Sequence, residues 1–136
     1  NYKNMLDIDG RSRPVFEATS KDTLGMFKAL NKGAALVLLI DLAVGNGEVV
    51  SFMGNPAYTS ITAASFALKA DALFLPYFFM RNPDGDSFRV EIGAAFEHTD
   101  AVTMTKEATK SLEQRIAADP GNWSWIHRRW KHKPTV

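Results

Sequence analysis

The spacing of apolar positions changes several times along the chain, and each change marks an element. Between Lys21 and Asn31, Leu24, Phe27 and Leu30 recur every three residues, Asp22 suits a first turn, and Thr19 or Ser20 can cap it. This predicts a helix over Lys21–Asn31, stopped by Gly33. The following run, Ala34-Ala-Leu-Val-Leu-Leu-Ile40, is apolar without alternation, the pattern of a strand covered on both faces in a mostly parallel sheet. It is therefore expected to be the central strand. Pro14-Val-Phe-Glu-Ala-Thr19 reads as a shorter strand ahead of the helix, giving a strand–helix–strand unit with a right-handed crossover.

Beyond Asp41, a loop containing Gly45-Asn-Gly47 leads to a short apolar piece, Val49 to Met53, closed by Gly54-Asn-Pro56. Thr59 or Ser60 is placed to cap a helix over Ile61–Ala70. Its Ala63, Ala64, Ala67 and Ala70 allow close packing on a sheet, with Phe66 and Leu68 as the larger contacts. Ala72 to Met80 reads as another strand. Asn82-Pro-Asp-Gly85 is a turn, and the strict alternation of Ser87–Ile92 pairs it back antiparallel as a half-exposed edge. From Ala101 to about Asp119, Thr105, Ala108, Leu112 and Ile116 form one stripe of a long helix that ends at Pro120-Gly121. Trp123–Lys131 reads as a short amphipathic turn or helix. The expected fold class is α/β: a mostly parallel central sheet with an antiparallel edge hairpin and flanking helices, in a single domain over residues 1–136.

Composition narrows the functional classes. A chain of 136 residues, 46% hydrophobic and 23% charged, excludes a disordered tail, a collagen-like repeat and a coiled coil. The absence of cysteine removes thiol nucleophiles, disulfides, zinc fingers and iron–sulfur ligation. Sixteen basic side chains against fifteen acidic ones give no overall field toward nucleic acid. The distribution is uneven, however, because Trp123–Val136 carries Arg128, Arg129, Lys131 and Lys133 and no acid. No apolar run approaches the ~20 residues of a bilayer span. The chain opens on Asn1 rather than on an initiator Met, which suggests a part of a longer polypeptide.

Candidate chemistry is sparse. His98 lies between Glu97 and Asp100, where a general base or metal ligand can be imagined beside the simpler reading of a loop histidine. His127 and His132, five apart, do not share a helical face. There is no HExxH, GxSxG or Walker loop, and Gly45-Asn-Gly47 lacks the third glycine of a dinucleotide fingerprint. Gly10-Arg-Ser-Arg13 resembles a phosphate-binding stretch of glycerolipid acyltransferases but precedes a strand instead of following one, so it is read as an exposed loop. Asp41, at the C-terminal end of the expected central strand, stands where ligands of open α/β sheets gather, or else caps the loop it begins. The tail Trp123-Ser-Trp-Ile-His-Arg-Arg-Trp-Lys131 holds all three tryptophans among cations. It suits lipid phosphate or an anionic membrane surface, or nucleic acid, or a docking of the indoles onto the domain itself.

The order of these pieces resembles the bacterial lipid A biosynthesis acyltransferases. The resemblance runs from Leu38-Leu-Ile-Asp41 through Gly45–Gly54, Pro56-Ala-Tyr-Thr59 and Ala72–Pro76 to the hairpin and the long helix. It closes on Trp125-Ile-His-Arg-Arg-Trp-Lys131, its most specific part. It implies a glycerolipid-acyltransferase-like fold, and transfer of a fatty acyl group from acyl carrier protein or acyl-CoA to a hydroxyl of a lipid A precursor or related glycolipid. That reaction belongs to lipopolysaccharide biosynthesis at the cytoplasmic face of the bacterial inner membrane, and it needs no cofactor. The implied base is the His of an HxxxxD/E motif, which these residues lack: five places after His98 stands Thr103, and after His127 stands His132. The chain is accordingly expected to be the C-terminal part of the enzyme and inactive alone, with apolar faces left open or covered by a second copy. The resemblance places Asp41, Gly54, Thr59, Arg128 and Arg129 as substrate-binding residues. Leu42 stands where relatives often have Gln. Rival readings are a noncatalytic module that docks on membranes or partners through the Trp/Arg tail, and, less favoured by the acidic remainder, a nucleic-acid binder.

Overall fold

The computed structural model describes residues 20–134, the side chains of residues 20–22 excepted. The Gly10–Arg13 stretch and the expected strand Pro14–Thr19 lie outside the described residues. The chain divides after Val37. Helix α1 (Ser20–Asn31) belongs to the first unit, and the remaining elements to the second.

Helix α1 ends as its sequence dictates. Gly33 adopts φ 84°, Ala34 N–H reaches back to Ala29 O at 3.1 Å and Gly33 N–H to Leu30 O at 2.9 Å, a Schellman stop. No strand follows. Ala34–Ile40, expected as the central strand, is paired with nothing among the described residues, and Val37 and Leu39 are 68% and 67% exposed. Nor is any strand pair parallel among those residues. A continuous apolar run announces burial, but a strand exists only where neighbouring backbone supplies hydrogen bonds.

The second unit holds two antiparallel hairpins and two helices. Strands β1 (Glu48–Phe52) and β2 (Asn55–Thr59) pair in the register Val50 to Ala57 and Phe52 to Asn55. Their two-residue turn places Met53 at φ 51° and Gly54 at φ 77°, both left-handed as a type I′ hairpin requires. Of the two residues offered as the next helix's cap, Thr59 is excluded, because it ends β2. Pro56 argues against a central strand, yet an edge tolerates its missing N–H. Helix α2 (Thr62–Ala70) starts beside the other, Ser60, whose hydroxyl accepts from Thr62 N–H at 3.3 Å. It stops at Asp71 in a left-handed conformation, φ 48°.

Strands β3 (Tyr77–Arg81) and β4 (Phe88–Ile92) form the expected hairpin, with Phe79 opposite Val90, but the strand expected over Ala72–Met80 begins only at Tyr77, where paired backbone begins. The Asp84 carboxylate accepts from Ser87 Oγ at 2.6 Å and from Ser87 N–H and Asp86 N–H, both at 3.0 Å, fixing the turn. Helix α3 (Ala101–Ala118) also appears as its periodicity predicts, and is the spine of the unit. Asp100 caps it, accepting from Val102 N–H and Thr103 N–H at 2.9 and 3.0 Å. Its buried face carries Met104, Thr105, Ala108, Thr109 and Ile116. The two buried hydroxyls are satisfied within the helix, Thr105 on Ala101 O and Thr109 on Thr105 O. Toward its start, Met104 packs with Ala64 and Ala67 of α2. Toward its end, Ile116 packs with Phe52 and Ala57 of the β1–β2 hairpin.

Candidate functional site

The residues after α3 form a clasp. A 3₁₀ turn (Pro120–Asn122) leads into successive tight turns, with His127 N–H on Ser124 O and Lys131 N–H on Arg128 O, each at 3.0 Å. This folding gathers the indoles. Trp123 and Trp130 each stand 5.6 Å from the Phe52 ring, and Trp125 meets Trp123 edge-on at 4.7 Å. Phe52, fully buried, is the anchor on which the tail closes.

Polar contacts then lock the clasp to two distant segments. Trp123 Nε1 donates to Asp41 Oδ2 at 3.2 Å, and His127 Nε2 accepts from Ala43 N–H at 2.8 Å. That acceptance puts the imidazole proton on Nδ1. Arg129, only 2% exposed, donates through Nη1 to Tyr58 O and through Nη2 to Thr59 Oγ1, both at 2.6 Å. Its guanidinium lies 5.3 Å over the Phe52 ring. Burial pulls its pKa below the usual arginine value, and the nearby Asp41 carboxylate opposes that pull. Thr59 Oγ1 itself donates to Ala57 O at 3.3 Å, so the hydroxyl is used in both directions.

Asp41, Thr59 and Arg129, widely separated in sequence, therefore belong to one cluster. Gly54 stands apart at the β1–β2 turn, exposed, where it permits the left-handed backbone. Arg128 is exposed, beside Trp125 and Ile126, which are 54% and 93% exposed. Sequence reasoning missed His127 and Gly47 as parts of this cluster. Gly47, at φ 148°, approaches β2 so closely that a Cβ there would stand 2.6 Å from Thr59 O. A glycine between Asn46 of the loop and Glu48, the first residue of β1, was the available signal. His98 sits in the connection to α3, with Nε2 3.0 Å from Ala72 O. Among the described residues no cluster of His, Asp and Glu could hold a metal ion. No helix among them is long and apolar enough to cross a membrane.

Beside the clasp, an open cleft of about 730 Å³ is lined by Phe79, Arg81, Phe88, Arg89, Asn122 and Trp123. Asn122 fixes its wall, accepting from Arg81 N–H at 2.7 Å and donating to Asp119 at 2.6 Å. The Arg81 guanidinium covers the Phe88 ring at 5.4 Å.

The family model for the bacterial lipid A biosynthesis acyltransferases matches residues 4–132. The chain is 31% identical over 139 aligned positions to a lipid A biosynthesis acyltransferase of Haemophilus influenzae, covering 96% of this chain and 45% of that protein. It is 30% identical over 122 positions to the lipid A biosynthesis lauroyltransferase of Escherichia coli K12, covering 84% of this chain and 39% of that protein. The chain thus spans less than half the length of these relatives. A match across nearly the whole sequence, from before the first helix to the end of the Trp/Arg clasp, places the chain in the bacterial lipid A biosynthesis acyltransferase family.

Proposed function

We propose that this chain works as the C-terminal portion of an enzyme that moves a fatty acyl group from a thioester donor, acyl carrier protein or acyl-CoA, to a hydroxyl of a lipid A precursor. The family match over residues 4–132 carries this reading. In the reaction the acceptor oxygen attacks the thioester carbonyl, a carbon–oxygen bond forms, the carbon–sulfur bond breaks, and the hydroxyl proton passes to a base. The resemblance assigns that base to an HxxxxD/E histidine outside these residues, and the present residues supply acceptor contacts and scaffold. Arg128, exposed beside Trp125 and Ile126, is the group we assign to acceptor phosphate at the inner-membrane surface. Asp41, Thr59 and Arg129 hold the tail in place for it. In the longer polypeptide, Ala34–Ile40 becomes the central strand of the parallel sheet expected from its sequence.

The test compares the complete product of the gene with the 136-residue chain, using acyl carrier protein thioesters and a lipid A precursor, with product read by mass spectrometry. Transfer is expected from the complete product and not from the 136 residues alone. Turnover by the short chain would place the base within it and overturn the reading. Arg128→Ala in the complete product is expected to raise KM for the phosphorylated acceptor about tenfold with kcat little changed, the scale of one lost charge-assisted hydrogen bond.

A further inference from the structure

The β3–β4 hairpin turns an apolar face outward. Its inner face, with Phe78 and Met80 opposite Glu91 and Arg89, is tied to α3 by Arg115 Nη2 donating to Glu91 at 2.9 Å, and Met80 is 5% exposed. Its other face pairs Tyr77 with Ile92, Phe79 with Val90 and Arg81 with Phe88. The five apolar side chains there are between 46% and 64% exposed, and the rings of Phe79 and Phe88 stack at 4.9 Å. Two backbone hydrogen bonds lie beyond the strands, Gly93 N–H on Pro76 O at 3.1 Å and, one residue out of register, Phe96 N–H on Phe74 O at 2.9 Å. The alternation continues there. Phe74 packs onto the core of α2 and α3, whereas Leu73 and Leu75 are 77% and 42% exposed.

A hairpin face that stays in water carries polar residues, so an outward face built of apolar side chains marks a surface that another segment covers. We propose that the face of Leu73, Leu75, Tyr77, Phe79, Val90 and Ile92 is covered by an amphipathic helix or strand from another part of the same polypeptide, outside the region matched here. This rests on the reading above, that the chain acts within a longer enzyme. Two observations favour that occupant. The curated relatives carry more than as much chain again beyond the matched region. Charge also argues against an anionic bilayer on this face: its one cation, Arg81, is engaged over Phe88, and the hairpin tip carries Asp84 and Asp86, whereas Arg128, Lys131 and Lys133 lie in the tail. A covering segment on the same chain also acts at a high effective concentration that a second copy lacks.

The absence of cysteine permits a direct test. Phe79→Cys and Val90→Cys place single thiols on the face, and Lys110→Cys places one on the exposed side of α3. Maleimide labelling rates are measured in the 136-residue chain and in the complete gene product, with any cysteine of the flanking sequence replaced by Ser and folding checked by circular dichroism. Both face thiols should react as fast as the Lys110 site in the short chain, and at least tenfold more slowly than it in the complete product. Equal rates in both contexts overturn the proposal, as does a gene that encodes no further chain. So does protection that appears only with phosphatidylglycerol vesicles, which assigns the face to lipid, or that rises with concentration of the short chain, which assigns it to a second copy. Acyl transfer is measured on the same complete product. Transfer with reactive thiols refutes the covering and spares the reaction, and protected thiols without transfer do the reverse.

Discussion

The Arg129 guanidinium is held by Tyr58 and Thr59 inside the clasp, so its removal is read on stability before it is read on substrate. Arg129→Ala leaves Tyr58 O and the Thr59 hydroxyl without their donors, and a loss of about 3 kcal/mol is expected from two charge-assisted hydrogen bonds, measured by urea denaturation. Arg129→Lys should recover only part of it, because one ammonium does not reproduce the planar fork. Gly47→Ala drives a methyl against Thr59 O and should cost about 2 kcal/mol, as overpacking does. Gly54→Ala meets no neighbour within 4 Å and should cost about 1 kcal/mol, the left-handed backbone alone. At this scale the sequence revealed residue types and not partners. Arg129 read as a phosphate ligand because an arginine beside tryptophans suits phosphate, and nothing local announces that a carbonyl and a hydroxyl some 70 positions earlier will meet it.

Helix α3 was the most readable element, with stripe and stop both visible, because its 3.6-residue period and its terminating Pro120-Gly121 are local, whereas its cap Asp100 was not read as one. The cap also carries a pH dependence. Hydrogen bonds from Thr103, then from Val102, hold the Asp100 carboxyl below its ordinary pKa, and nearby Lys106 adds to the shift. A depressed carboxylate stabilises the fold fully above its unfolded pKa of about 3.9, and that contribution is lost as pH falls through the lower folded value. Wild type and Asp100→Ala should therefore differ in urea midpoint at pH 6, and the gap should close as the medium is acidified below pH 4. A gap that persists at pH 2 would assign the effect to something other than the charged cap. The β3–β4 hairpin was equally readable from Asn82–Gly85 and the alternation after it. The β1–β2 hairpin was not, because its turn sets a methionine at positive φ. Met53 is held there from outside, its N–H donating to the Glu113 carboxylate of α3.

Across the whole molecule, the expected membership in an acyltransferase family and the α/β character both stand, while the parallel central sheet is not formed among the described residues. Met104, fully buried between α2 and α3, ties much of the second unit together. Met104→Ala is expected to cost about 2–5 kcal/mol in denaturant-induced unfolding. Sequence was sufficient wherever the physics is short-ranged: helix α1 and its Gly33 stop, helix α3 and its Pro120-Gly121 stop, and the Asn82–Gly85 turn all follow from contacts among residues a few positions apart. The closing tryptophans and arginines could also be picked out as the most specific segment. Their role required the fold, since Phe52, Asp41, Ala43 and Thr59 reach the tail only after the hairpin has paired and α3 has carried the chain back across it. Hydrophobic pattern tells a residue to leave water, and pairing in space tells it which partner to meet. The run Ala34–Ile40 satisfied the first rule and found no strand partner among the described residues.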